Sequence, residues 1–265
     1  MKAGTSLFWM FLTLGSLLLL FIAVPLIRTV IGVSPPLLWQ TALDGEVRTA
    51  IWLTLYAAAL ATVLAMLAGV PLAYLLARHH FPGKQLVEGL VDLPVVVPHT
   101  AAGIALLMVF GRRGLLGPAL DRLGFRFTGS VAGIVAAMLF VSLPFLVNTS
   151  KEAFAAVDPR LERIARTLGA SPWEVFWRVT LPLAWQGVLA GAVMMWARGI
   201  SEFGAVVILA YHPMTAPVLV YERFETYGLR YARPVAVLLI LVSLLVFIVL
   251  RLVNQRIGER ATSNE

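Results

Sequence analysis

Residues 150–182 read SKEAFAAVDPRLERIARTLGASPWEVFWRVTLP, and the rest of the chain is arranged around them. The stretch joins two long apolar runs and is longer than a hairpin between neighbouring membrane helices requires. Asp158-Pro159 starts a helix, the carboxylate able to cap it and the proline suited to its first position. Leu161, Ile164, Ala165 and Leu168 then recur at helical spacing, while Glu162, Arg163 and Arg166 fall on other faces. Gly169 closes that helix, because glycine accepts the left-handed conformation of a helix end. Ser171-Pro172 starts a second helix with Trp173, Phe176 and Trp177 on an interface-seeking side, and Leu181-Pro182 marks its junction with the next apolar run. The pattern predicts two short helices beside a membrane. It leaves two readings open: a knob that docks on another protein, or a pair resting at the lipid headgroups.

Outward from this stretch, composition sets the solvent. Of 265 residues 60% are hydrophobic and only 13% charged, where a soluble domain carries about 25%. Six apolar stretches approach the length of a bilayer crossing, at about 7–30, 50–77, 92–110, 130–149, 183–211 and 232–252. The first has no small-residue cleavage site before Pro25 and reads as a retained helix. No stretch alternates as a membrane strand does, so the expectation is a single all-α membrane domain over 1–265 with six transmembrane helices.

An even number of spans places both ends of the chain on one side. With the amino terminus inside, eleven of the 21 basic residues lie inside and nine outside, with Arg198 within a span. That bias is too small to fix orientation. The outer basic residues fit either a vestibule attractive to anions or ordinary headgroup contact. The net charge of +7 is spread over short loops, with no basic stripe interleaved with aromatics, so nucleic-acid binding is excluded. The chain has no cysteine, which removes disulfides and thiol chemistry.

Some polar residues sit where lipid would otherwise be expected. Arg198 and Glu202 are four apart in the fifth span, on one helical face, with Ser201 beside them. Ionisable residues within a span face the bundle interior and pair with one another. The pair fits either a helix-packing device or the lining of a solute path. Pro94 and Pro98 interrupt the start of the third span, and His99 and Thr100 follow them; these two also fit packing or a path. No second histidine, aspartate or cysteine stands at ligand spacing, so no metal site is expected. Gly129-Ser130 has no base placed for a hydrolase. Small residues at Ala190, Gly191, Ala192 and Ala197 allow close helix approach.

Gly169, nine further residues, then Val179-Thr180-Leu181-Pro182 resembles the cytoplasmic signature of binding-protein-dependent ABC importer permeases. That signature runs Glu-Ala-Ala, three residues, Gly, nine residues, Ile-x-Leu-Pro. Here Arg163 stands at the Glu position, Ile164 follows, and Ala165 matches; Glu162 lies one place early. Asp92-Leu93-Pro94-Val95-Val96-Val97-Pro98-His99-Thr100, Gly103-Ile104-Ala105 and the run Trp196 to Ala205 resemble the molybdate/tungstate branch, with sulfate/thiosulfate permeases as near neighbours.

The resemblance implies the type I ABC importer permease fold and a cytoplasmic coupling-helix loop at 150–182. It implies a cytoplasmic-membrane protein with both termini inside, working as a homodimer with an ATP-binding cassette subunit and an extracytoplasmic oxyanion-binding protein. Glu162, Arg163, Ala165, Gly169, Ala170 and Pro172 become the expected ATPase-coupling residues. His99, Thr100, Arg198, Ser201 and Glu202 become the candidate path. No G-x-x-x-x-G-K-[ST] loop occurs, so ATP and Mg²⁺ are expected on the partner, with no cofactor and no catalytic residue in this chain. A sulfate permease is the alternative. A secondary transporter would show an inverted repeat of broken helices, and none is visible in the sequence.

Overall fold

The computed structural model describes residues 2–262. Among the described residues the regular elements are all helices: α1 (Lys2–Ile31), α2 (Pro35–Leu43), α3 (Gly45–Arg78), α4 (Lys84–Val96), α5 (His99–Phe110), α6 (Gly117–Arg122), α7 (Val131–Ala156), α8 (Pro159–Thr167), α9 (Pro172–Val175), α10 (Leu181–Ile200), α11 (Gly204–Leu209), α12 (Ala216–Tyr227) and α13 (Leu229–Thr262). A π-helical turn, Phe176–Thr180, joins α9 to α10 without a loop.

Among the described residues, five segments are long and apolar enough to cross a bilayer: Leu7–Ile31, Gly45–Arg78, Val131–Ala156, Pro172–Ile200 and Leu229–Val249. The pair α4 and α5 makes a sixth if counted as one broken span. Lipid offers no hydrogen-bond partners, so long helices are the dominant solution available to such a chain.

Two expected spans are not continuous. The run 92–110 is bent by 115° between α4 and α5. Pro98 cannot donate to the helix before it and holds Val97 extended, at φ −70° and ψ 130°. Pro94, by contrast, is accommodated inside α4. The expected 183–211 helix ends at Ile200, and the chain restarts as α11 at Gly204.

The centre is α7, packed between α3 and α10. The buried face of α3 is mostly small, with Ala50, Thr54, Ala57, Ala58, Ala61, Thr62, Ala65, Gly69 and Ala73, and carries Val47, Val70 and Leu76 toward its ends. Small side chains let helix axes approach where no hydrophobic effect drives association. Thr54 and Thr62 satisfy their hydroxyls on the carbonyls of Ala50 and Ala58, at 2.7 and 2.8 Å. Gly191 and Ala192 bring α10 against α7 around Leu146 in the same way. In α1, none of the apolar window is buried within the chain.

At the end of α3 far from the 150–182 loop, Arg223 of α12 donates to Asp44 at 2.7 Å and to Glu46 at 2.8 Å. The Arg223 hydrogen bond is the main reason the Asp44 carboxyl is held below its ordinary value.

Candidate functional site

The breaks in the two interrupted helices meet. α5 packs on α11, and Gly103 lies so close that a Cβ there would stand 2.9 Å from the Ala205 carbonyl and 2.9 Å from Ile208 Cβ. Gly204 faces the start of α5 in the same manner, with a Cβ falling 2.7 Å from His99 Cβ. At the apposed breaks, Arg198 Nη2 lies 3.1 Å from Glu202 Oε2. It also lies 2.7 Å from His99 Nε2, and His99 Nδ1 is 3.2 Å from the same Glu202 oxygen.

The sequence places Arg198 and Glu202 on one face of a continuous helix. In the structure the helix ends between them, and the pair bridges its C-terminal turn. Glu202 is fully buried, and its Oε1 accepts the Ala205 amide at 2.8 Å. That carboxylate therefore caps the restart of the chain while neutralising Arg198. His99 enters from the other broken helix and touches both members.

The polar rim of this cluster is open. The His99 side chain is 40% exposed, whereas that of Arg198 is 20% exposed. Ser201 is exposed, 3.3 Å from Arg198 Nη1, with its hydroxyl donating to the Arg198 carbonyl at 2.9 Å. Thr100 is exposed in the first turn of α5. The five residues singled out from sequence thus come together, with two compensated charges beneath and His99, Thr100 and Ser201 at the edge.

The 150–182 loop forms the two expected short helices. Asp158 accepts the Arg160 amide at 2.8 Å, and Ser171 with Glu174 completes a capping box at the start of α9. Gly169 has φ +92°, and the amides of Gly169 and Ala170 donate to Arg166 and Ala165 at 3.0 and 3.1 Å. This is a Schellman closure, which satisfies carbonyls left over at the end of α8.

The structure decides which face of α8 is covered. Leu161, Ile164 and Leu168 face outward at 42, 56 and 83% exposure, and Glu162 faces inward at 6%. Glu162, expected on the docking surface, is buried because Arg78 and Thr180 draw its carboxylate into the bundle at 2.8 and 3.0 Å. Arg163, Gly169 and Pro172 are exposed, and Ala165 and Ala170 half-buried. Sequence reasoning missed Arg78 and Thr180: Arg78 is 84 residues from Glu162, and no local pattern joins them.

Broken helices that meet within a bundle of long apolar helices, beside a loop whose amphipathic helix turns Leu161 and Ile164 outward, define a polytopic membrane protein. The model of the family of binding-protein-dependent transport system inner membrane components matches residues 69–259, and the chain belongs to that family. It is 45% identical over 245 residues, 92% of this chain and 94% of the other, to a molybdate/tungstate transport system permease protein of Thermococcus kodakarensis. It is 34% identical over 210 residues, 78% of this chain and 73% of the other, to a probable sulfate transport system permease protein of Chlorokybus atmophyticus. In fold it is similar to a chain of a bacterial ABC transporter involved in the import of the acidic polysaccharide alginate. The TM-score is 0.76, with 18% identity and 97% of each chain covered.

Proposed function

We propose that this chain is the membrane-spanning subunit of an ATP-driven importer for molybdate or tungstate. It works as a homodimer with both termini cytoplasmic, fed by an extracytoplasmic binding protein and driven by a separate ATP-binding subunit. The observation that carries the reading is the 45% identity, over nearly the full length of both chains, to a molybdate/tungstate permease.

The geometry supplies chemistry that suits this cargo. A tetrahedral dianion must be met by donors yet released again. An uncompensated Arg198 would hold it too firmly, and Glu202 offsets that charge. His99, Thr100 and Ser201 then offer hydrogen-bonding groups at the rim. On the cytoplasmic side, the outward face of α8, with Arg163, Ala165, Gly169, Ala170 and Pro172 around it, engages the ATP-binding subunit. Leu161, Ile164 and Leu168 supply the apolar contact. ATP and Mg²⁺ are held by that partner.

The test is uptake of labelled molybdate by vesicles carrying this chain, the ATP-binding subunit and the binding protein. Uptake is expected to require ATP and to be abolished by Ile164→Asp with membrane insertion intact. Equal competition by sulfate would overturn the choice of anion, and ATP-independent uptake driven by an ion gradient would overturn the importer class.

A further inference from the structure

Glu162 has no place on the docking surface, and its burial raises a separate question. Its Oε1 accepts from Arg78 Nε at 2.8 Å and from Thr180 Oγ1 at 3.0 Å. Arg78 Nη2 donates in addition to the Val157 carbonyl at 2.8 Å. The Arg78 and Glu162 side chains are 9% and 8% exposed, and Thr180 is fully buried. Arg166, half exposed, approaches the second Glu162 oxygen at 3.9 Å, and Phe154, Val157 and Val175 are buried.

The four participants belong to four different segments. Arg78 is the last residue of α3, Val157 follows the last turn of α7, Glu162 is in α8, and Thr180 is the residue from which α10 starts. The Glu162 carboxylate thus ties the docking helix to the ends of α3 and α10 directly and, through Arg78, to the end of α7. Mere attachment would not need charge, because well-packed apolar residues often replace a buried ion pair without loss of stability. What a hydrogen-bonded pair adds is direction: the bonded atoms cannot slide past one another as methyl groups can.

We propose that Arg78, Glu162 and Thr180 form a force-transmitting joint. Through it, a displacement of α8 imposed by the ATP-binding subunit passes together to α3, α7 and α10. The three are positioning residues that touch neither nucleotide nor transported anion. The proposal rests on the reading that α8 engages that subunit.

The experiment uses the reconstituted complex with binding protein and measures three quantities: retention of the ATP-binding subunit, ATP hydrolysis, and molybdate taken up per ATP hydrolysed. For Glu162→Gln and for the uncharged change Thr180→Val, the first two should stay within about twofold of wild type. Uptake per ATP should fall about fivefold or more. Arg78→Glu combined with Glu162→Arg should recover part of the ratio that either reversal alone removes. Unchanged uptake per ATP in both Glu162→Gln and Thr180→Val overturns the joint, as does parallel loss of all three quantities, which would mark a purely structural pair. Failure of the wild-type chain to retain the ATP-binding subunit overturns the docking reading itself, and the joint with it.

Discussion

Arg198 Nη2 and Glu202 Oε2 stand 3.1 Å apart across the end of a helix, not along it. The contact holds together two segments that the backbone has let go, and its loss should be felt as unfolding. Arg198→Ala leaves a fully buried carboxylate with only His99 and the Ala205 amide. It is expected to destabilise the protein by about 3–5 kcal/mol, read as a lower unfolding temperature in detergent. Replacing both partners, as Arg198→Met with Glu202→Leu, should cost less than Arg198→Ala alone. A single variant as stable as wild type would show that the pair does not hold the break.

The close approach of α5 and α11 leaves no room for a methyl group. Gly103→Ala and Gly204→Ala each push a Cβ to under 3 Å from a neighbouring segment, and a loss of about 1–3 kcal/mol is expected for such overpacking. Gly89 in α4 has nothing within 4 Å of the corresponding position. Gly89→Ala should therefore be neutral or stabilising by up to about 1 kcal/mol, from helix propensity. Thermal unfolding of the three variants side by side checks the contrast.

Gly169 tests the docking loop by backbone conformation alone. At φ +92° an alanine is strained although open space surrounds it. Gly169→Ala should cost about 1–2 kcal/mol locally. Because the strain falls on the loop, loss of coupled uptake should exceed any change in overall unfolding temperature. Gly169→Asn, which tolerates the left-handed region better, should be milder on the same uptake assay.

The Asp44–Arg223 contact predicts a pH dependence. Asp44 is lowered in the folded state from its ordinary value of 3.8. Its contribution is fully present above that value and is lost as pH falls through the lowered folded value. The stability difference between wild type and Asp44→Asn should be constant from neutral pH down to about pH 5 and shrink below about pH 4. A difference that does not change over that range would show that the aspartate is not held by Arg223.

The spans were legible because a bilayer imposes a length that no local propensity can disguise, and residues 7–30 and 232–252 needed no other argument. The two breaks were unequally legible. Pro98 announces the first, since it constrains the residue before it. Nothing comparable precedes Ser201–Phe203, where the helix stops because the Glu202 carboxylate takes the Ala205 amide and Gly204 must pass His99. Those are contacts with distant residues, and His99 lies 99 positions from Arg198. The amphipathic pattern of α8 was legible too, but a pattern does not say which side is covered. Only Arg78, arriving from the end of another helix, decides that Glu162 turns in and the leucines turn out.

The π turn at Phe176–Thr180 joins α9 to α10, so Pro172 to Ile200 is one hydrogen-bonded rod of 29 residues. At 1.5 Å per residue it is about 40 Å long. Its lower end carries the capped start of the docking loop's second helix, and its upper end carries Arg198. The π turn and Pro182 lie within it, and both are places where a helix bends. Movement beside Pro172 therefore reaches the guanidinium that bridges the two broken helices through a continuous helix that can flex at one defined place.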